Sequence, residues 1–345
     1  MKASRLILAA LLLLARPAAA ENAQVTIGMV PVLSSAASFI ALDKGYFRDA
    51  GIDAHLETVD TAGAAMMLLA TDRMQIVEGG LSVGLFNSLA QGMPVALTLD
   101  RGSSPLHHDL AVRLDLKDQI KEIADLKRRP VAVAGPGSIA IYEVGKVLEL
   151  SGLTLKDIDL KNISFPQMNA AFANKAIDAT LFVPPFGEVA VAKGFAARWL
   201  DPDLLIKPHP VQIAVSIVNT DWAKANPDVA RGVFRSVLRG AREFCQAYHH
   251  GPNRKEVIDI LMSHKVFADR ETIETMPWQA RDPDGRVNVA SIADVQDWFI
   301  KAGMLTTKVD VNRLVANNFT EVAAKELGPF ELVNKASPLK GCRLD

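Results

Sequence analysis

Cysteine is almost missing from this chain of 345 residues, which holds only Cys245 and Cys342. Two thiolates build neither a disulfide framework nor a cysteine-ligated zinc centre. An oxidising compartment lets the two pair, while Cys245, inside a helical pattern, reads equally as a small buried helix residue. A charge excess is missing too. The 38 basic side chains are matched by 39 acidic ones, so there is no basic field for nucleic acid and no electrostatic pointer to a partner. No run beyond the N-terminal segment approaches the roughly 18 apolar residues that a membrane-spanning helix needs. The chain has no Gly-x-x-x-x-Gly-Lys-Ser/Thr, which excludes ATP hydrolysis by a P-loop, and no His-Glu-x-x-His helix. No serine-hydrolase elbow is expected, and no enzymatic function.

What is present begins at the N-terminus. Lys2 and Arg5 precede an apolar run at 6–15, and Ala18-Ala19-Ala20 offers small residues for a signal peptidase. This predicts a secretory signal at 1–20, removed after about Ala20. With no cysteine at the cleavage point to carry a lipid, the mature protein is expected free and soluble in a Gram-negative periplasm. Residues 21–345 suffice for two lobes of about 100 to 200 residues each.

From Gln24 onward, short apolar runs alternate with helical patterns. Strands are predicted at 25–30, 55–59, 74–77 and 95–99, separated by helices at 36–43, 62–70 and 82–91. That order implies βαβ units and a parallel sheet. After 109–112 the pattern restarts, with strands at 131–134 and 178–182 and helices at 138–150, 167–174 and 186–192. A further strand at 212–219 precedes a mainly helical part that opens at Asn226-Pro227-Asp228. The predicted division is therefore a first lobe at 21–110, a second at 111–212, a return to the first at 213–330, and a loosely held tail at 331–345. The extended crossings near 109–112 and 212–216 are expected to form a hinge. Residues 65–76 and 171–177 echo each other as helix, turn and strand, which fits either an internal duplication or any pair of αβ units.

Gly135-x-Gly137-x-x-Ala140 imitates a dinucleotide fingerprint, with Asp157 and Asp159 near the acidic position. A ribose-binding acid needs a following strand, and 153–162 is charged and poorly strand-like, so a nucleotide is not expected. Neither His107-His108 nor His249-His250 has metal-ligand spacing, so no metal is expected. His107 reads as a polar lining residue or a solvated hinge histidine, and Tyr46 as core.

Several ordered segments resemble the SsuA/THI5-like, NMT1-type substrate-binding proteins of ABC importers, which take sulfonates, taurine, nitrate and thiamine precursors. The resemblance rests on Phe39-Ile40-Ala41-Leu42-Asp43-Lys44-Gly45-Tyr46-Phe47 followed by Ala50-Gly51-Ile52-Asp53. It continues through Gly92-Met93-Pro94-Val95, Leu126-Lys127 before Val131-Ala132-Val133, Gly135-Pro136-Gly137-Ser138, Ile177-Asp178-Ala179 and Pro184-Pro185. It spans roughly 24–330. The chain departs from the family at Asp72 and Lys175, where glycine is usual in the turn, and at Gln75, where aspartate is usual. The resemblance implies an α/β, type II periplasmic-binding fold: two α/β lobes joined by a two-crossing hinge, closing on a ligand. It also implies an ABC permease and a separate ATPase as partners, a monomer, and no cofactor. Pyrimidine synthases of the same fold use a pyridoxal cofactor and a cysteine-rich iron motif, and that motif is absent here. A periplasmic sensor domain is the remaining alternative.

Ligands of open parallel sheets sit beyond the carboxyl ends of the strands, where helix N-termini point. The cleft loops are then 32–38, 61–63, 79–82, 103–108, 135–139, 165–169 and 183–186. They supply the candidate ligand contacts Ser34, Ser35, Gly63, Leu81, Ser82, His107, Gly137, Ser138, Asn169, Pro184 and Phe186. The four serines read either as ligand contacts or as ordinary helix caps. These loops lack an evident lysine or arginine, which argues against nitrate held by a salt bridge. An organic sulfonate or carboxylate is expected, its head at the helix starts around Ser35, Gly63 and Ser138 and its apolar body near Leu81 and Phe186. A thiamine-type pyrimidine, stacked and hydrogen-bonded through Asn169, is the runner-up.

Overall fold

The computed structural model describes residues 21–267 and 269–342. The predicted signal at 1–20 lies outside the described residues. One sheet takes β1 (Ala23–Met29), β2 (Ile52–Thr58), β3 (Ile76–Gly80) and β4 (Val95–Ser103) from the first part of the chain. A second sheet takes β5 (Asp109–Arg113), β6 (Pro130–Val133), β7 (Asp159–Asn162), β8 (Ala179–Phe182) and β9 (Ala196–Leu200), after which β10 (Gln212–Asn219) returns to the first.

The orders β2-β1-β3-β10-β4 and β7-β6-β8-β5-β9 are the same arrangement built twice. In each, three parallel strands are followed by one antiparallel strand, and that strand is the one that has just crossed from the other lobe. The echoed helix, turn and strand end in β3 and β8, which hold equivalent places. Both turns are left-handed, with φ of 56° at Asp72 and at Lys175, so Lys175 adopts the conformation where the family usually has glycine.

Three expectations need correction. Residues 153–162 do contain a strand, β7, paired in parallel with β6 at the sheet edge. Its sequence, DLKN, lacks apolar alternation because an edge strand with one solvated side needs little of it. The crossings lie beside the predicted positions: β5 and β10 are themselves sheet strands, and the chain passes between sheets at 104–108 and 201–211. As far as Cys342 the tail is held rather than loose. Cys342 is bonded to Cys245, the Tyr248 hydroxyl donates to Lys340 O at 2.6 Å, and His249 bonds Ser337 and Gly341 through its two ring nitrogens.

The helical part packs on the first lobe because the Pro227–Tyr248 helix buries one long face, including Phe234, Val237, Leu238, Ala241 and Phe244. Gly240 lets it approach the Ala36–Asp43 helix; a Cβ there would stand 2.0 Å from Ala37 O. The Val289–Lys301 helix instead bridges the lobes. Its Phe299 packs edge-on against Phe86, and its Trp298 against Tyr142 of the Ile139–Glu149 helix. Asp294 accepts from the Tyr142 hydroxyl at 2.7 Å and pairs with Lys146 at 3.0 Å. One apolar cluster runs through both lobes at this seam, from Leu81 and Leu85 to Val133 and Val144.

Candidate functional site

Loops at the carboxyl ends of the parallel strands of the two sheets meet face to face. Ser82, after β3, forms an isolated antiparallel bridge with Ser138, after β6, and Val83 N–H donates to Gly137 O at 2.9 Å. Glycine makes the approach possible. Gly137 has φ of 69°, and a Cβ there would lie 2.9 Å from Val83 Cβ. A Cβ on Gly63 would lie 3.1 Å from Ser82 Oγ. The structure thus brings Gly63, Ser82, Gly137 and Ser138 together. Gly80 and Ile139 flank them, a Cβ on Gly80 reaching 3.0 Å from the Ile139 side chain.

Geometry separates the serines. Ser82 is a true cap, its Oγ accepting from Leu85 N–H at 3.2 Å. Ser35 stands at the start of the Ala36–Asp43 helix without capping it, because its hydroxyl donates to Val30 O at 2.7 Å. Ser138 holds the cap position of the Ile139–Glu149 helix, yet its Oγ makes no cap bond and is buried without a partner. Ser34 is buried, and its carbonyl accepts from Arg281.

Gly80-Leu81-Ser82-Val83-Gly84 does spell Gly-x-Ser-x-Gly between a strand and a helix, against the expectation of no serine elbow. The geometry is not that of a nucleophile: Ser82 is extended, with φ of −156° and ψ of 157°, and its hydroxyl is committed to the cap.

Other candidates stay on neighbouring loops. Asn169 lies one turn into the Phe165–Ala173 helix with its Oδ1 buried and unpartnered. Phe186, after the cis Pro184–Pro185 bond, stacks on Phe165 at 5.6 Å, so one ring face is already covered. Leu81 is fully buried in the shared core, and its N–H donates to Ile213 O. His107, at the first crossing with φ of 54°, is held below the usual imidazole range by burial, against the pull of the Asp201 and Asp203 carboxylates. Its neighbour His108 is buried with Nδ1 2.8 Å from Glu143 Oε1. Among the described residues no group of three or more His, Cys, Asp or Glu could hold a metal. The acids of the dinucleotide pattern are spent locally, Asp157 on Thr154 and Asp159 on Lys161.

The cleft loops themselves carry no lysine or arginine, but two arginines from elsewhere in the chain lie buried close to them. Arg281, only 1% exposed, donates to Leu33 O at 3.0 Å and Ser34 O at 3.2 Å, directly behind the loop that starts the Ala36–Asp43 helix. Arg101, on β4, is equally buried and bonds Glu78 at 2.6 Å. The sequence signal for this pair is weak: Arg101 interrupts a strand pattern, and Arg281 lies 180 residues further on in a loop. Burial pushes the Glu78 carboxyl up, against Arg101 and Ser38. It pushes Asp100 up to about 6, and Arg281 down to about 9 with Arg101 adding to the fall.

The nitrate/nitrite binding protein NrtA of Synechococcus elongatus is 26% identical over 273 residues, covering 72% of this chain and 60% of that protein. The chain thus spans about three-fifths of the length of this curated relative. The alkanesulfonate-binding protein SsuA from Xanthomonas axonopodis pv. citri, bound to MOPS, superposes with a TM-score of 0.70 at 19% identity, covering 87% of this chain and 100% of that one. The desulfurization enzyme DSZB superposes with a TM-score of 0.64 at 16% identity, covering 89% and 100%. At such identities the structural likeness establishes the periplasmic-binding fold of two α/β lobes, a fold that also carries an enzyme. The profile of the NMT1-like family matches residues 18–262. With most of its length inside that match, the chain belongs to the NMT1-like family.

Proposed function

We propose that this protein is the periplasmic solute-binding component of an ABC importer. It captures a small organic sulfonate or carboxylate between its lobes, releases it unchanged to a permease with a separate ATPase, and acts as a monomer. The carrying observation is Ser138. Its hydroxyl is buried, unpartnered and at the start of an 11-residue helix, at the point where the loops of both lobes meet. A helix start of that length favours negative charge, and a hydroxyl left without a partner gains by donating to it. The Cys245–Cys342 bond supports an oxidising compartment. The naming of NrtA and SsuA as binding proteins supports capture without chemistry.

A thermal-shift screen of alkyl and aryl sulfonates, aromatic carboxylates, nitrate and pyrimidines tests the reading, followed by calorimetry and product analysis. Ligand at about 100 times Kd stabilises by about 2.7 kcal/mol. Sulfonates or carboxylates are expected to bind at about micromolar Kd, with at least a several-fold loss in Ser138→Ala. Stabilisation by pyrimidines alone would move the assignment to the runner-up, for which Asn169 and Phe186 provide contacts. Recovery of a chemically altered ligand after repeated turnover would defeat the binding-protein reading.

A further inference from the structure

Arg101 and Arg281 are buried in the first lobe near enough for their charges to oppose each other, Arg281 lies on the Leu33 and Ser34 carbonyls, and Gln279, two residues before Arg281, lies against Gly102, next to Arg101 in the chain. Residues 279 and 281 flank Ala280, which bridges to Ser103 and donates to Pro105 O at 2.8 Å. Gln279 lies over Gly102, where a Cβ would meet its Nε2 at 2.2 Å. The three side chains are 1%, 3% and 1% exposed.

The carboxylates near the two arginines are already spent. Glu78 Oε1 accepts from Ser38 and Ser216, and its Oε2 from Arg101 and Ser38. Asp100 Oδ1 accepts from Gly102 N–H and Gln212, and its Oδ2 from Ser103 and Asp282 N–H. Donors are left over. Arg101 Nε and Nη1, Gln279 Nε2 and Arg281 Nε have no partner, and the face of Phe244, 3.8 Å from the Arg281 guanidinium carbon, is only a weak substitute. Thr98 Oγ1, also buried and unpartnered, can add a further donor. Buried donors in this number, two of them on one guanidinium, call for an acceptor that offers several lone pairs at once.

We propose that Arg101, Gln279 and Arg281 form an oxyanion site in the first lobe, behind the loop Leu33–Ser35. The oxyanion is either the sulfonate or carboxylate head of the cleft ligand, which rests on the function proposed above, or a free inorganic anion of the same geometry. Arg281 couples the site to the cleft through the Leu33 and Ser34 carbonyls.

The test titrates sodium sulfate and sodium methanesulfonate against thermal stability at constant ionic strength. It compares the wild type with Gln279→Leu, which removes one orphan donor, with Glu78→Gln/Arg101→Met, and with Ser138→Ala; circular dichroism checks each fold. A saturable wild-type shift is expected, with affinity at least about 10-fold weaker in Gln279→Leu, as for a lost hydrogen bond to a charged group. Two outcomes support the site and identify its occupant. A sulfate response that survives Ser138→Ala assigns it to a free anion. A response confined to methanesulfonate and weakened by both Gln279→Leu and Ser138→Ala assigns it to the ligand head. Unchanged anion affinity in Gln279→Leu, or no saturable response in the wild type, would overturn the site. Binding of organic ligands that still depends on Ser138 would then leave the importer reading standing.

Discussion

Ser82, Ser35 and Ser138 all begin helices and cannot be told apart by composition, yet their hydroxyls do three different things: cap, bond backward to Val30, and remain unpartnered. The difference comes from the loop that delivers each serine, and loop geometry depends on what packs against it. His108 and Glu143 are a second case, a buried pair invisible at their separation in the chain. Burial opposes the imidazolium, but the Glu143 charge and hydrogen bond outweigh it, with Asp203 and Asp201 adding, so the His108 pKa is raised. A raised histidine contributes stability that is fully present below its unfolded value near 6.5 and is lost as pH rises through the folded value. Urea unfolding is therefore expected to show wild-type stability falling as pH rises above about 6.5, and a flatter profile in His108→Asn. At pH 6 that variant should lose about 3 to 5 kcal/mol, because Glu143 stays buried without its partner. Equal pH slopes in the two proteins would show that this pair does not titrate with folding.

The strongest element-scale constraint is the crossing of the Pro227–Tyr248 and Ala36–Asp43 helices at Gly240. Glycine in mid-helix lowers helix propensity, so its presence there marks a close approach. A Cβ would stand 2.0 Å from a backbone carbonyl, which has no rotamer to escape into. Gly240→Ala is expected to lose about 1 to 3 kcal/mol despite the better helix former, read as a lower midpoint in chemical denaturation. A gain in stability would mean that the two helices separate easily. β7 and β9 illustrate the opposite situation, elements with hardly any local signature. Each lies at an edge of the second sheet and is held by pairing with one neighbour, β6 for one and β5 for the other.

At the scale of the whole molecule, the two lobes touch at Ser82–Ser138 and along the Val289–Lys301 helix. A ligand can favour an arrangement with the lobes in contact over one with them apart only through contacts it makes better when they meet. X-ray scattering is expected to show compaction of the wild type on adding the best ligand of the screen. Gly137→Ala should blunt it and weaken binding by about tenfold, because the added Cβ lies 2.9 Å from Val83 in a left-handed backbone that already disfavours alanine. An identical radius with and without saturating ligand would rule out lobe closure as the capture step.

The sequence by itself determined the alternation of strands and helices, the restart after β5, the return of 212–219, and the glycine- and serine-rich loops beyond the strand ends. These are local properties of periodicity, capping residues and turn residues. The two-lobed order followed from that same pattern, and the family resemblance implied it again. Tertiary structure alone decided which serine stayed unpartnered, that Arg101 and Arg281 are buried near each other, that the tail is bonded to Cys245, and that β7 and β9 are strands at all. Each of these depends on groups far apart in the chain, and on burial, which turns a leftover N–H donor into a demand for an acceptor only where water has been excluded.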